Sequence, residues 1–281
     1  MKKQHQSKFD NAAKPPPPTS SVPCSLLDIG PSQQREAAHG FTLLELLVVL
    51  LIIGLLAAAL IPGISTAIEL SRSTVCKSNL RQMIIAAHAY AADREGELPP
   101  ASVSRASTAN PEGSMTTWED FLWNYDTRSM RATSQKIHQC PSFRGAANWG
   151  NDRYTGYNYN ASYIGGVQFF ANGAMAPHST RSANLADIKN PSNCAVFGDG
   201  QYESGANKFM RSPAKGSLDG SIDAGTRVAG TQGFRHRGAT NVAFADASVR
   251  PLKDRFTTSG RNTAAKGCGF LSVDNSLYDL E

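Results

Sequence analysis

None of the five cysteines forms a Cys-x-x-Cys pair, which removes the main sequence support for a zinc ribbon or a thioredoxin-like redox motif. The chain also lacks a Gly-x-Ser-x-Gly elbow, a His-Glu-x-x-His pair, a phosphate-binding glycine loop and a Gly-rich dinucleotide fingerprint after a strand. Enzyme chemistry therefore has no visible carrier, and no enzyme activity is expected. Charge is sparse, at 18% of 281 residues against 41% apolar, which excludes wholesale disorder and leaves material for a core in one or two domains. Neither sign dominates: the formal +5 suits nucleic acid or an anionic membrane surface and is diagnostic of neither. A negative mean hydropathy excludes a polytopic membrane protein, although that average hides one strongly apolar segment.

The N-terminal stretch is polar. It sets Lys2, Lys3, Lys8, Lys14 and Arg35 against Asp10, Asp28 and Glu36, and residues 15–18 are consecutive prolines. Such a stretch cannot pack a core and reads as disordered or extended polyproline, outside the fold. Residues 41–61 are its opposite, uncharged apart from Glu45. As a helix rising 1.5 Å per residue they match the roughly 30 Å thickness of a bilayer core. The basic residues before this run put the N-terminus in the cytoplasm by the positive-inside rule. A secretory signal peptide is the alternative, but the run exceeds the usual apolar region of one.

A carboxylate inside a lone spanning helix costs roughly 2.5–3.5 kcal/mol on insertion scales. Glu45 either snorkels near the helix end or has a partner. A cut between Gly40 and Phe41 would supply one, because the new α-amino group would lie about one helical turn before Glu45.

Gly40-Phe41-Thr42-Leu43-Leu44-Glu45, followed by the apolar run, resembles the processing site of type IV prepilins and type II secretion pseudopilins. The resemblance implies that a prepilin peptidase cuts after Gly40 and methylates Phe41, and that Glu45 guides subunit assembly. Pro62 matches a proline common in these helices.

From Ile64 to Arg94 there is no further proline or glycine, and Leu80, Met83, Ile84, Ala87 and Ala91 recur at three- or four-residue steps. That pattern predicts an amphipathic helix over 63–95 with Arg72, Lys77 and Arg81 in water, stopped by Gly96 and Pro99-Pro100. The stretch from Cys76-Lys-Ser-Asn79-Leu80 through His88-Ala-Tyr90 to Leu98-Pro99-Pro100 is similar to the helix end of pseudopilin-like proteins abundant in planctomycetes, verrucomicrobia and their relatives. Residues 96–281 are dense in Gly, Asn, Ser and Pro, with short alternating runs at 193–197 and 241–245, which predicts an antiparallel sheet with long loops. Val242 and Phe244 share one face, Asp246-Ala247 turns the chain, and 248–252 returns as a hairpin partner. The spacing from His236 to Asp246 resembles the H-x9-D-G segment of the same pseudopilin-like group, with Ala247 in place of a glycine whose freedom at positive φ such a turn uses.

His236 and Asp246, with Asp199 as a further oxygen donor, are candidate metal ligands, calcium being the ion that oxygen donors suggest; a hydrogen-bonded structural pair is the other reading. No cofactor is otherwise expected. With Cys24 in the N-terminal stretch, Cys76, Cys140, Cys194 and Cys268 remain. Disulfides are expected if they lie outside the cytoplasm, Cys76 with Cys140 first, and buried free thiols are the alternative. Trp149, Tyr154, Tyr157, Tyr159 and Tyr163 form either a stacking platform for sugars or bases or a partly buried loop. Arg235 and Arg237 are either phosphate contacts or solvated.

These readings combine into an α+β, pilin-like chain: a leader over 1–40, a membrane-spanning assembly helix over 41–62, its amphipathic continuation over 63–95, and an extracytoplasmic β-rich domain over 96–281. The expected protein is a single-pass inner-membrane subunit with a cytoplasmic N-terminus, polymerising into a type IV pilus or type II secretion pseudopilus. Its partners would be prepilin peptidase, other pilin-like subunits, an inner-membrane assembly platform and, before assembly, membrane lipid; nucleic acid is not among them. The alternative is an anchored adhesin or a sugar- or DNA-capturing protein that never polymerises. Mass spectrometry of protein extracted from native membranes should find Phe41 as an N-methylated N-terminus; an intact leader on assembled protein would contradict the family resemblance.

Overall fold

The computed structural model describes residues 40–106, 114–126, 138–147, 152–219, 229–259 and 262–281. Residues 1–39, with Cys24 and the prolines at 15–18, Trp149 and the side chain of Pro62 lie outside the described residues. The chain divides into two compact units, residues 1–53 and 54–281.

A single helix, α1 (Leu43–Ala92), passes through both. Within the first unit its side chains from Leu43 to Ile53 are all exposed, and the helix is apolar and long enough to cross a membrane. Within the second unit α1 becomes one-sided: Cys76, Leu80, Met83, Ile84, Ala87 and Ala91 are fully buried, at the three- and four-residue steps that the sequence predicts. Arg81 is exposed, while Arg72 and Lys77 are half-buried. The helix closes with Glu95 (φ 53°) and Gly96 (φ 89°) in left-handed conformations and Gly96 N–H donating to Ala91 O at 2.9 Å, the long-range bond of a Schellman-type end. Gly96 is required there, since a Cβ would come within 2.5 Å of Asn184 Oδ1.

Among the described residues, thirteen short strands, a one-turn α-helix (Trp118–Leu122) and a 3-10 turn (Leu185–Asp187) follow. The larger sheet runs β10-β9-β6-β3-β7, with β3 (Asn158–Asn160), β6 (Ala195–Gly198), β7 (Phe209–Met210), β9 (Thr240–Phe244) and β10 (Val249–Leu252). The smaller runs β2-β1-β4-β5, with β1 (Ser102–Ala106), β2 (Ser114–Thr117), β4 (Val167–Ala171) and β5 (Ala174–Met175). The expected α+β architecture, a long N-terminal helix with a mainly antiparallel sheet domain behind it, is present, and two strand pairs depart from antiparallel. The pairs β1–β4 and β3–β7 are parallel, each joined by a long connection of the kind a parallel pair needs. The remaining pairs, β11 (Thr258–Ser259) with β12 (Asn262–Thr263) and β8 (Gln232–Gly233) with β13 (Cys268–Gly269), are antiparallel.

The buried face of α1 packs with Val196, Phe197, Ala243 and Ala245 of the larger sheet region and with Trp118, Tyr154, Tyr157 and Tyr159. Ala195, Met210, Val242 and Phe244 form a second cluster with Leu271 and Tyr278. Residues alternate between these clusters along β9, as the two-residue period of a strand demands, whereas on β6, whose pairing with β9 shifts register between Ala195 and Phe197, Val196 and Phe197 both join the first cluster. All five residues of β9 are buried for that reason. The hairpin reading of 241–252 holds, with Val249 opposite Ala243 and Leu252 opposite Thr240.

Three of the tyrosines are structural. Tyr154, Tyr157 and Tyr159 are fully buried, with Trp118 5.3 Å from Tyr154 and Tyr159 stacked on Phe197 at 4.9 Å. They present no stacking platform to solvent; Tyr163 is half-buried against the second cluster. Beneath Trp118 lies a buried charge group. Lys208 Nζ pairs with Glu119 Oε2 at 2.6 Å and with Asp152, all three nearly inaccessible. A buried pair is costly to break, because the orphaned charge cannot reach water. Lys208→Met should therefore cost about 3–5 kcal/mol of unfolding free energy, read by urea denaturation of the detergent-solubilised chain with tryptophan fluorescence. A loss below about 1 kcal/mol, the range of an exposed pair, would show that the triad is solvated in practice.

Candidate functional site

Two places in the chain carry chemistry. The first is the start of α1. Thr42 precedes the helix and Glu45 sits three residues on. Glu45 Oε2 accepts from Thr42 N–H at 2.8 Å and from Thr42 Oγ1 at 3.0 Å, while Glu45 N–H donates to Thr42 Oγ1 at 3.2 Å. This reciprocal pattern is a capping box, which satisfies N–H groups that a helix end leaves bare. The signal for it in the sequence is Thr42-x-x-Glu45, the Thr-to-Glu spacing of such a box. Glu45 thus has a local partner one residue from Phe41, on the helix end where a negative charge meets the positive end of the macrodipole.

The second place is a buried cluster where α1 meets the larger sheet. Glu69 and Cys76, seven residues apart, project from one face of α1. Cys140 comes from a loop held by Cys140 N–H to Thr155 O at 3.0 Å. Asp199 directly follows β6. His236 is fixed by a two-residue turn, His236 and Ala239 exchanging backbone bonds of 3.1 Å in both directions. Arg237 and Gly238 both take positive φ there, 55° and 81°, as a type I′ turn requires.

Cys76 Sγ donates to Asp199 Oδ1 at 2.9 Å, Cys140 Sγ lies 3.5 Å from His236 Nε2, and His236 Nε2 lies 3.4 Å from Asp199 Oδ2. Asp199 Oδ2 also accepts from Asn241 N–H at 2.7 Å. His236 Nδ1 faces Glu69 Oε1 at 3.1 Å, and that oxygen accepts from Ser142 Oγ at 2.6 Å. Arg235 closes the group, its Nε donating to Cys140 Sγ at 3.2 Å and its Nη2 to Asp199 Oδ1 at 3.2 Å and to Gly156 O. Of the two arginines that the sequence singles out, Arg235 is largely buried and ion-paired with Asp199, and Arg237 is exposed.

These contacts set the charges. The hydrogen bond with Cys76 lowers the Cys140 thiol to about 5 against the opposing effect of burial, with Arg235 and His236 assisting. Burial, then the Cys140 neighbour, pushes the Cys76 thiol well up. Burial alone would lower His236, but hydrogen bonds to Asp199 and Cys140 outweigh it and raise the imidazole to about 10. Burial would raise Asp199, yet Arg235 and His236 hold its carboxyl low. An open cavity of about 310 Å³ lies alongside, lined by Ser142, Phe143, Arg144, Gly145, Gln201, Ser204 and Arg235.

Of the expected metal ligands, His236 and Asp199 come together and Asp246 does not. Asp246 is exposed in the β9–β10 turn, its Oδ1 accepting from Ser248 N–H at 2.8 Å, because the strand carries it past the end of the cluster. Cys76 and Cys140 meet as expected of a pair, but as free thiols beside Asp199 and His236; Cys194 and Cys268 are also free and buried. Cys194 lies near Tyr278 O at 3.8 Å and Cys268 near Glu203 O at 3.9 Å, so the two contact different parts of the domain.

A family profile described as the prokaryotic N-terminal methylation motif matches residues 36–61. The N-terminus is prepilin-like. No curated protein and no solved structure matches the chain. The prepilin-like segment thus covers Gly40, Phe41 and Glu45, while the buried cluster lies beyond the matched residues.

Ala247 takes φ 63°, a left-handed conformation that glycine adopts without a Cβ penalty. An L-residue pays roughly 1–2 kcal/mol in that region, against roughly 0.5–1 kcal/mol of extra chain entropy for glycine. Ala247→Gly should therefore stabilise the chain by about 0.5–1 kcal/mol, seen as a higher urea midpoint at unchanged slope; a lower midpoint would show that the turn is not strained.

Proposed function

We propose that the chain is a membrane-anchored, prepilin-like subunit cut between Gly40 and Phe41, methylated at Phe41 and assembled through α1 into a pilus or secretion pseudopilus. The observation that carries this reading is the prokaryotic methylation motif over 36–61 placed on the start of a continuous 50-residue helix whose apolar first part is uncovered. Prepilin peptidase, other pilin-like subunits and an assembly platform in the inner membrane are its partners in this reading. The basic leader favours a cytoplasmic N-terminus and places residues 96–281 across the membrane. The Cys76–Pro100 stretch and the His236–Asp246 spacing favour the pseudopilin-like group of planctomycetes and verrucomicrobia. The protein's task is then mechanical, not enzymatic: helices exchange lipid contacts for each other, and the domain decorates the outside.

Glu45 joins both halves of the reading. Its carboxylate caps α1 through Thr42, and after cleavage it would also face the ammonium of Phe41. Leucine removes both roles, whereas glutamine keeps an acceptor for the cap and removes only the charge. Both variants should reach the membrane and be cleaved, since neither makes insertion harder. Each should sharply reduce filaments, because an uncompensated ammonium costs about 3–5 kcal/mol per subunit. The comparison is between sheared-filament and membrane fractions at matched expression. Normal filament yield from cleaved Glu45→Gln would overturn the charge-pairing role, and normal yield from cleaved Glu45→Leu would show that this carboxylate is not what aligns the subunits; a wild-type chain that is cleaved and membrane-bound but gives no filament fraction would favour an anchored protein that does not polymerise.

A further inference from the structure

We propose that Cys76, Cys140, Asp199 and His236 form a structural binding site for a single zinc-type divalent cation, which fastens α1 to the larger sheet. This inference is independent of whether the chain polymerises. The two sulfurs, a carboxylate oxygen and an imidazole nitrogen lie within 4.8 Å of one another, all from buried residues. With zinc bonds of about 2.0–2.3 Å, the donors of a tetrahedral site stand about 3.3–3.8 Å apart. The separations of 2.9 Å from Cys76 to Asp199, 3.5 Å from Cys140 to His236 and 3.4 Å from His236 to Asp199 already approximate such a cage.

The surroundings are those of a ligand set. With Nδ1 facing Glu69, His236 turns Nε2 inward, toward a sulfur and a carboxylate, where a bound cation would displace its proton. This carboxylate–imidazole relay is how proteins orient a metal-bound histidine. Asn241 N–H likewise steadies Asp199. Charge also balances: two thiolates and Asp199 carry three negative charges, which a divalent cation and the Arg235 guanidinium together neutralise, as a buried site must.

Donor chemistry selects the ion. Calcium takes six to eight oxygens and magnesium an octahedral oxygen shell, neither of which two sulfurs and a nitrogen supply. Soft thiolates with imidazole favour zinc. Four protein donors in a buried place make a closed site, whose role is to hold structure together and not to present an open position to substrate. The four residues come from α1, the 140 loop, the end of β6 and the turn before β9, so one ion ties together four segments far apart in sequence.

The test uses the full chain, purified in detergent without chelator. Elemental analysis after equilibration with zinc and removal of excess should find about one zinc per chain, lost to a strong chelator and regained on adding zinc. Cobalt-loaded protein should show thiolate-to-cobalt charge-transfer absorption, falling to roughly half in Cys76→Ser or Cys140→Ser and unchanged in Cys194→Ser and Cys268→Ser. Glu69→Gln leaves the donors in place and should weaken zinc binding about 10–100-fold, an effect that a merely structural hydrogen bond would not produce. The proposal is overturned if the folded wild-type chain retains no zinc, if cobalt binds without thiolate bands, or if peptide mapping of native protein finds a Cys76–Cys140 disulfide.

Discussion

One face of α1 determines the rest of residues 54–281. From Cys76 to Ala91 it supplies the surface on which the larger sheet lies, and Trp118 with the buried tyrosines fills in around it. A helix of this composition needs little help from tertiary contacts where it is apolar on all sides, but a one-sided helix gains most of its stability from what it packs against. The change from uniform to one-sided apolarity along a single helix is therefore also the change from a segment apolar and long enough to cross a membrane to one that packs on its own domain.

Polar side chains on the same face do a second job. Glu69, Cys76 and Asn79 project into the domain at helical spacing, and Asn79 Nδ2 donates to Tyr157 OH at 3.1 Å. Apolar packing alone tolerates small slips, whereas a buried hydrogen-bonded group loses its partner when displaced. The Asp199–Arg235–His236 group thus registers the helix along its axis against the ends of β6 and β9, a constraint that the surrounding leucines and alanines do not impose.

What the sequence disclosed and what it concealed divide by range. Gly40 to Glu45, the apolar run, the buried face of α1 and the β9–β10 hairpin all depend on residues within a few positions of one another, and periodicity or spacing reveals them. The parallel pairing of β1 with β4 and β3 with β7 does not, because the partners are separated by long connections. The cluster was half visible. Spacing along the chain pairs His236 with Asp246 and makes Asp199 only a further donor, yet Asp199 is the residue the structure brings to His236 and Asp246 the one it sends elsewhere. Cys76 and Cys140 drew attention as an even count of thiols, which predicts bonds between sulfurs and says nothing of a histidine and a carboxylate brought between them by the tertiary fold.

The second face of the larger sheet has a consequence for how the domain comes into being. Ala195, Val242 and Phe244 are covered by Leu271 and Tyr278, which come well after β9 in the chain. Until those residues arrive, a growing chain holds strands with one face against α1 and the other bare. Contacts so distant in sequence close slowly, and an uncovered apolar sheet is prone to pair with the wrong neighbour in the interval. The segment around Leu271 and Tyr278 therefore acts as the closing step of folding, and chaperone protection would matter most in the period just before it docks.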